Sequence, residues 1–174
     1  FFFDSALQYV GIPTYRRRKM IVTFCGHGDF RETEEERRKM FGVLEKIAKQ
    51  GKVDFYLGGY GNFDGFAYEC CKQFKRVNPN VKLVLVVPYF TEKYQKNCLN
   101  ALKKYYDEIV YPQLENRLPR LAILYRNYYM AEKADYVVAY VNRDLGGAYK
   151  TFEYANKSNK KIFNLAETAE ENFD

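Results

Sequence analysis

Three short segments of the sequence combine residue types and spacing suited to holding an anion. In "GGYGNFD", Gly58, Gly59 and Gly61 permit positive φ and close backbone approach, with Tyr60 and Asn62 inside the same turn. The helix expected after them offers free N–H groups and the positive end of its dipole, a combination that suits a phosphate. Gly26 and His27 open a second segment, "GHGDF", and Gly146 and Gly147 in "NRDLGGAY" open a helix that can receive another polar group. Each glycine cluster has a plainer reading as a tight turn or helix cap. No G-K-[ST] follows the first cluster and the spacing is not G-x-G-x-x-G, which argues against a Walker ATPase or a dinucleotide-dependent dehydrogenase.

Carboxylates and one guanidinium surround these loops in sequence. Asp64 and Glu69 fall in the first turns after the glycines, where either can hold ribose hydroxyls or position a water. Singly, Asp64 reads equally as a cap and Glu69 as a solvated side chain. Arg126, followed by Asn127 in an otherwise apolar and aromatic helix, needs a partner if buried, and an anionic ligand would supply one; the alternative is a surface arginine. His27 is the only histidine, and Cys25, Cys70, Cys71 and Cys98 show no C-x-x-C spacing, so a zinc site is poorly supplied. Neither a metal nor a cofactor is expected, and the cysteines read as reduced core residues.

The elements that must position these groups alternate along the chain. "MIVTFC" (20–25), "VDFYLGG" (53–59), "VKLVLVVP" (81–88), "EIVYP" (108–112), "DYVVAYV" (135–141) and "KIFNL" (161–165) read as strands, several continuously apolar as in parallel sheets covered on both faces. Thr33 with Glu36 forms a capping box ahead of Met40, Leu44, Ile47 and Ala48, and Gly51 ends that helix. A second helix is expected from about Asp64 to Arg76. A third runs from Thr91 with Tyr94, Cys98, Ala101, Leu102 and Tyr105 on one stripe, a fourth covers about 118–133, and a fifth follows Gly147. The pattern predicts a Rossmann-like, three-layer α/β/α fold with a mainly parallel sheet.

The 174 residues fit one domain, 20–174, preceded by an N-terminal extension, 1–19, that packs on the domain or on a partner. The first residue is Phe rather than Met, as expected of a trimmed or processed chain. "RRRK" at 16–19 follows the opening apolar stretch instead of preceding it, unlike a secretory signal. "LVLVVPYF" is too short to span a bilayer, and a cytoplasmic location is expected. A net charge of +6 favours anionic partners.

"FCGHGDF", "GGYGNFD", "RNYYM" and "GGAYKTFEYA", in this order, resemble the SLOG superfamily over about residues 20–165. That superfamily takes in the Lonely-guy (LOG) phosphoribohydrolases, the DNA-processing protein A domain and uncharacterised bacterial families. The nearest resemblance is to an uncharacterised branch reading T-G-H-R, G-G-x-x-G-x-D and R-N-x-x-M. The resemblance implies a Rossmann-like fold that binds nucleotides or their derivatives. It implies a phosphate-binding turn at Gly58, Gly59 and Gly61, the branch aspartate at Asp64, R-N-x-x-M at Arg126 and Met130, and the final glycine pair at Gly146 and Gly147. Where LOG enzymes read P-G-G-x-G-T-x-x-E, this chain has Leu57 for the proline, Asn62 for the threonine and Gly65 for the catalytic glutamate. Gly28 stands where the nearer branch has arginine.

Three functions follow as expectations. The first is a module that binds a nucleotide-derived ligand without turning it over, as sensor, carrier or sequestering protein. The second is a LOG-like N-glycosidase acting on nucleoside 5′-monophosphates, with Asp64 or Glu69 replacing the missing glutamate and Arg126 on the phosphate. The third is binding of single-stranded nucleic acid, suggested by the basic charge and by 17 Tyr and 14 Phe. At least a homodimer is expected, through "YRNYYM" or the N-terminal "FFF"; light scattering showing only monomer would refute it.

Overall fold

Runs rich in Val, Leu and Phe form the six strands found among the described residues, because such side chains pack well on a pleated surface buried from both sides. The computed structural model describes residues 19–89, 91–94 and 100–167. All but Lys19 of the expected N-terminal extension, and Cys98 of the expected third helix, lie outside the described residues.

The chain runs through β1 (Met20–Gly26), α1 (Glu34–Ala48), β2 (Val53–Leu57), α2 (Asn62–Val77), β3 (Val81–Val86), the short turns α3 (Glu92–Tyr94) and α4 (Asn100–Leu102), β4 (Glu108–Val110), α5 (Ala122–Lys133), β5 (Tyr136–Tyr140), α6 (Gly146–Lys157) and β6 (Lys161–Asn164). The strands order as β4-β3-β2-β1-β5-β6, and every neighbouring pair is parallel. The α/β Rossmann-like expectation therefore holds, with a sheet that is wholly parallel.

Alternation along the strands divides the interior into two layers. Val22 and Phe24 of β1 join Met40, Leu44 and Ile47 of α1 and Phe63, Phe66 and Cys70 of α2 in the larger core. Cys25 of β1 packs on the other side with Val137 and Ala139 of β5, Ala131 of α5 and Ala155 of α6. Cys25, Cys70 and Cys71 are buried free thiols, and burial pushes all three up, Cys25 to about 12 and Cys70 to about 11.

Thr33 caps α1, but not through the reciprocal backbone bonds of a capping box: its hydroxyl accepts the Glu35 amide at 3.2 Å and donates to the Glu36 carboxylate. Thr33→Ala should cost about 1 kcal/mol in urea denaturation, the usual value of an N-cap.

Two expectations change at the helices. The stripe from Thr91 to Tyr105 does not end as a continuous helix: α4 stops at Leu102, and residues 103–105 form a turn. The Tyr105 amide bonds the Leu102 carbonyl at 3.0 Å, a three-residue closure that tightens the chain. Asp107 then enforces the departure by accepting the Leu83 amide at 2.7 Å, which fixes the approach to β4. Before α5, residues Pro119–Leu121 form a 3-10 turn, because Pro119 can begin a helical turn but not continue one.

Candidate functional site

From β1 the sheet grows one way through β2, β3 and β4, then the chain crosses and adds β5 and β6 on the other side. The connections out of β1 and β5 therefore diverge, leaving a crevice beyond their carboxyl ends, the place where open α/β sheets receive ligands. Gly26 pairs with Tyr140 at this edge, so "GHGDF" and "NRDLGGAY" flank the crevice. The glycine turn after β2 adjoins it. The Asn62 amide donates to the Gly28 carbonyl at 3.2 Å and its side chain donates to the Phe30 carbonyl at 3.2 Å, tying the two loops together.

The glycines serve different purposes. Gly59 and Gly61 have φ of 68° and 97°, and a Cβ on Gly61 would stand 3.1 Å from the Gly28 Cα. Here the chain needs glycine to turn and to lie against the neighbouring loop. Gly61 is also the N-cap of α2, and no side chain caps that helix. The same holds at α6, where Leu145 is the N-cap, no side chain caps the helix, and Gly146 has φ of 88°. Two helix N-termini thus reach the rim without side-chain caps, each carrying roughly half a positive charge. By contrast Gly26 and Gly58 are glycines because of packing: a Cβ on Gly26 would run into the Phe63 ring, and one on Gly58 would lie 2.7 Å from Arg126 Nη1 and 2.9 Å from the Asp64 carboxylate.

Arg126 and Asp64 come together at Gly58. Arg126 is fully buried, and its Nη1 donates to the carbonyls of Gly58 and Val86, the latter at 2.9 Å. The guanidinium thus clamps the carboxyl ends of β2 and β3. Asp64 accepts the Tyr60 amide at 2.7 Å, so one loop amide is satisfied from within. Burial pushes its carboxyl up to about 6, opposed by that amide and by the charge of Arg126. Because the native carboxyl then holds its proton to higher pH than the unfolded one, the folded state binds more protons between about pH 4 and 6. Stability should fall across that window as pH rises, and Asp64→Asn should remove this contribution to the slope and gain about 3 kcal/mol at pH 7. Urea midpoints of both proteins from pH 4 to 8 check the sign.

Other expected site residues are dispersed. Tyr60 is exposed, and Asn127 is half-buried on α5. Glu69 stands away from Asp64 and Arg126. It pairs with Lys72 at 3.7 Å and lines an open cleft of about 440 Å³ with Phe30, Arg37, Gly61 and Asn62. His27 is buried at the end of β1, its Nε2 without a hydrogen bond among the described residues, and burial with the charge of Arg143 pushes its imidazole down. Two residues had escaped notice: Arg143 and Asp29 join across the crevice at 2.7 Å. They are 114 positions apart, and only the adjacency of β1 and β5 brings them together. No group of three or more His, Cys, Asp and Glu able to hold a metal ion occurs among the described residues. No described helix is long and apolar enough to cross a membrane.

No family model and no curated protein matches the chain. Solved structures do. The X-ray structure of DNA processing protein A from Streptococcus pneumoniae matches with a TM-score of 0.59 and 16% identity, over 88% of this chain and 52% of that one. The fold is shared with DNA processing protein A. A second such protein, from Helicobacter pylori, matches with a TM-score of 0.56 and 17% identity, over 83% of this chain and 64% of its own, and is described as having a unique single-stranded DNA binding mode. This chain therefore spans about half to two thirds of the DNA processing A proteins it matches. At such identity the likeness establishes the fold alone.

Proposed function

We propose that this domain binds a nucleotide-derived ligand, as sensor, carrier or sequestering module, with a phosphate at the rim between the β1, β2 and β5 loops. The observation that carries this reading is the pair of helix N-termini, at Gly61 and Gly146, that reach the crevice without side-chain caps. Main-chain amides of Gly59, Gly61 and Gly147 would line the anion's approach, with His27 behind them. Arg126 and Asp64 act one step back by holding the Gly58 turn in shape. A ligand that binds only the folded state raises the melting temperature by mass action. AMP, ADP, cyclic nucleotides and ADP-ribose at millimolar concentration are therefore the probes, and at least one should raise it saturably. A flat response to all of them would defeat the proposal.

LOG-like hydrolysis is less well served. It requires a carboxylate near the anomeric carbon, and Asp64 is engaged with the Tyr60 amide while Glu69 faces Arg37 and Lys72. Release of free base from AMP, abolished by Asp64→Asn, would favour hydrolysis over simple binding. A second reading, single-stranded nucleic-acid binding, draws on the fold shared with the Helicobacter protein and on the net charge of +6.

A further inference from the structure

Away from the crevice, the carboxyl-terminal half of α2 and the turn before β4 enclose a shallow cleft of about 350 Å³. Its walls carry Lys72, Lys75, Arg76 and Lys104 together with Tyr68 and Tyr105. At 1.5 Å per residue, Arg76 lies roughly 20 Å along α2 from the Gly61 turn. We propose that this cleft is a binding surface for single-stranded nucleic acid. The proposal rests on the nucleic-acid reading above and gives it a location separate from the glycine loops.

Charge and ring placement both support it. Lys75 is held by Asp107, and Lys72 reaches Glu69 only at 3.7 Å, an exposed pair of small value. Arg76 and Lys104 are exposed on opposite walls, so cations outnumber carboxylates around the cleft. Tyr105 is 57% exposed, so the face of its ring is open to a stacking base. Tyr68 packs against Tyr106 with ring centroids 5.2 Å apart, and Lys72 Nζ lies 5.6 Å from the Tyr68 centroid. One ring is therefore fixed beside a cation while another is open to solvent. A strand has the complementary chemistry: phosphates for the lysines and arginine, and unstacked bases for the tyrosines. A duplex keeps its bases stacked and cannot use the rings. The cleft is open to solvent along its length, so a strand can lie across it.

Fluorescence anisotropy of a labelled oligothymidylate of about 20 nucleotides, measured with the full chain at several salt concentrations, tests the surface. Arg76→Ala/Lys104→Ala should weaken binding at least tenfold and lower the salt slope by about 1.4, since each of the two lost phosphate contacts accounts for about 0.7 of a released counterion on a single strand. Tyr105→Ala should weaken it about tenfold with the salt slope unchanged, the signature of lost stacking. Circular dichroism should match the parent for both variants, and the thermal response to AMP should be retained. Strand binding that these substitutions leave intact, that AMP competes away, or that duplex DNA matches would overturn the cleft as the single-strand site. No strand binding by the parent would overturn both the cleft and the nucleic-acid reading, leaving the mononucleotide proposal standing.

Discussion

Replacing Arg126 with methionine should destabilise the domain by about 3 to 5 kcal/mol. The side chain is fully buried, and its guanidinium donates to the carbonyls of Gly58 and Val86. Methionine keeps most of the length but leaves both oxygens in the interior without that donor. Each hydrogen bond to a charged group contributes about 1.5 to 3 kcal/mol, and an oxygen stranded away from water adds its own desolvation cost. Asp64 would also lose the positive charge that opposes its burial. For a domain of this size 1 kcal/mol moves the melting temperature by about 2 to 4 °C, so a fall of about 10 °C is expected in differential scanning calorimetry. Arg126→Lys should recover only part of it, because an ammonium is a compact, strongly hydrated charge without the planar fork. A loss below about 1 kcal/mol for the methionine variant would mean that the clamp contributes little.

Gly26→Ala is expected to be the second severe change. The new methyl would overlap the Phe63 ring and come within 2.8 Å of the Phe63 Cβ, and Phe63 is fully buried. The ring cannot step aside easily, since it packs against Phe30 at 5.2 Å and Phe66 at 5.9 Å. Overpacking of this kind costs about 1 to 3 kcal/mol and sometimes more, because the core must shift as a unit. Phe63 sits in the first turn of α2, so the displacement would also move the amides at the crevice. Urea denaturation should show a loss near 3 kcal/mol. Gly28→Ala is the matched control: its Cβ would meet open space, and the loss should stay below about 1 kcal/mol. Equal stability of the two variants would show that the β1 end is more loosely packed than described.

Much of this was legible in the sequence. Continuous apolar runs announced buried parallel strands, and four-residue spacing of Phe66, Cys70 and Phe74 announced the face of α2 that joins the core. The glycine loops were located correctly relative to the strands because strand ends follow from local pattern. What stayed hidden depends on contacts between distant segments. Arg126 was expected to need a partner if buried, but nothing local shows that strand-end carbonyls of β2 and β3 would be among its partners. The Asp29–Arg143 pair exists only because β5 is laid beside β1. The stripe ending at Tyr105 misled for the converse reason: helical spacing persisted while Asp107, bonded to the Leu83 amide, pulled the chain toward β4.

The crevice assignment is tested most directly by following backbone amide resonances in a two-dimensional ¹⁵N–¹H spectrum while AMP, and separately inorganic phosphate, is titrated in. The amides of Gly59, Gly61 and Gly147 should show the largest saturable shifts with AMP, and smaller shifts at the same positions with phosphate. If AMP at saturation leaves those amides in place, or moves only residues remote from the β1, β2 and β5 loops, the anion site proposed at this crevice is wrong.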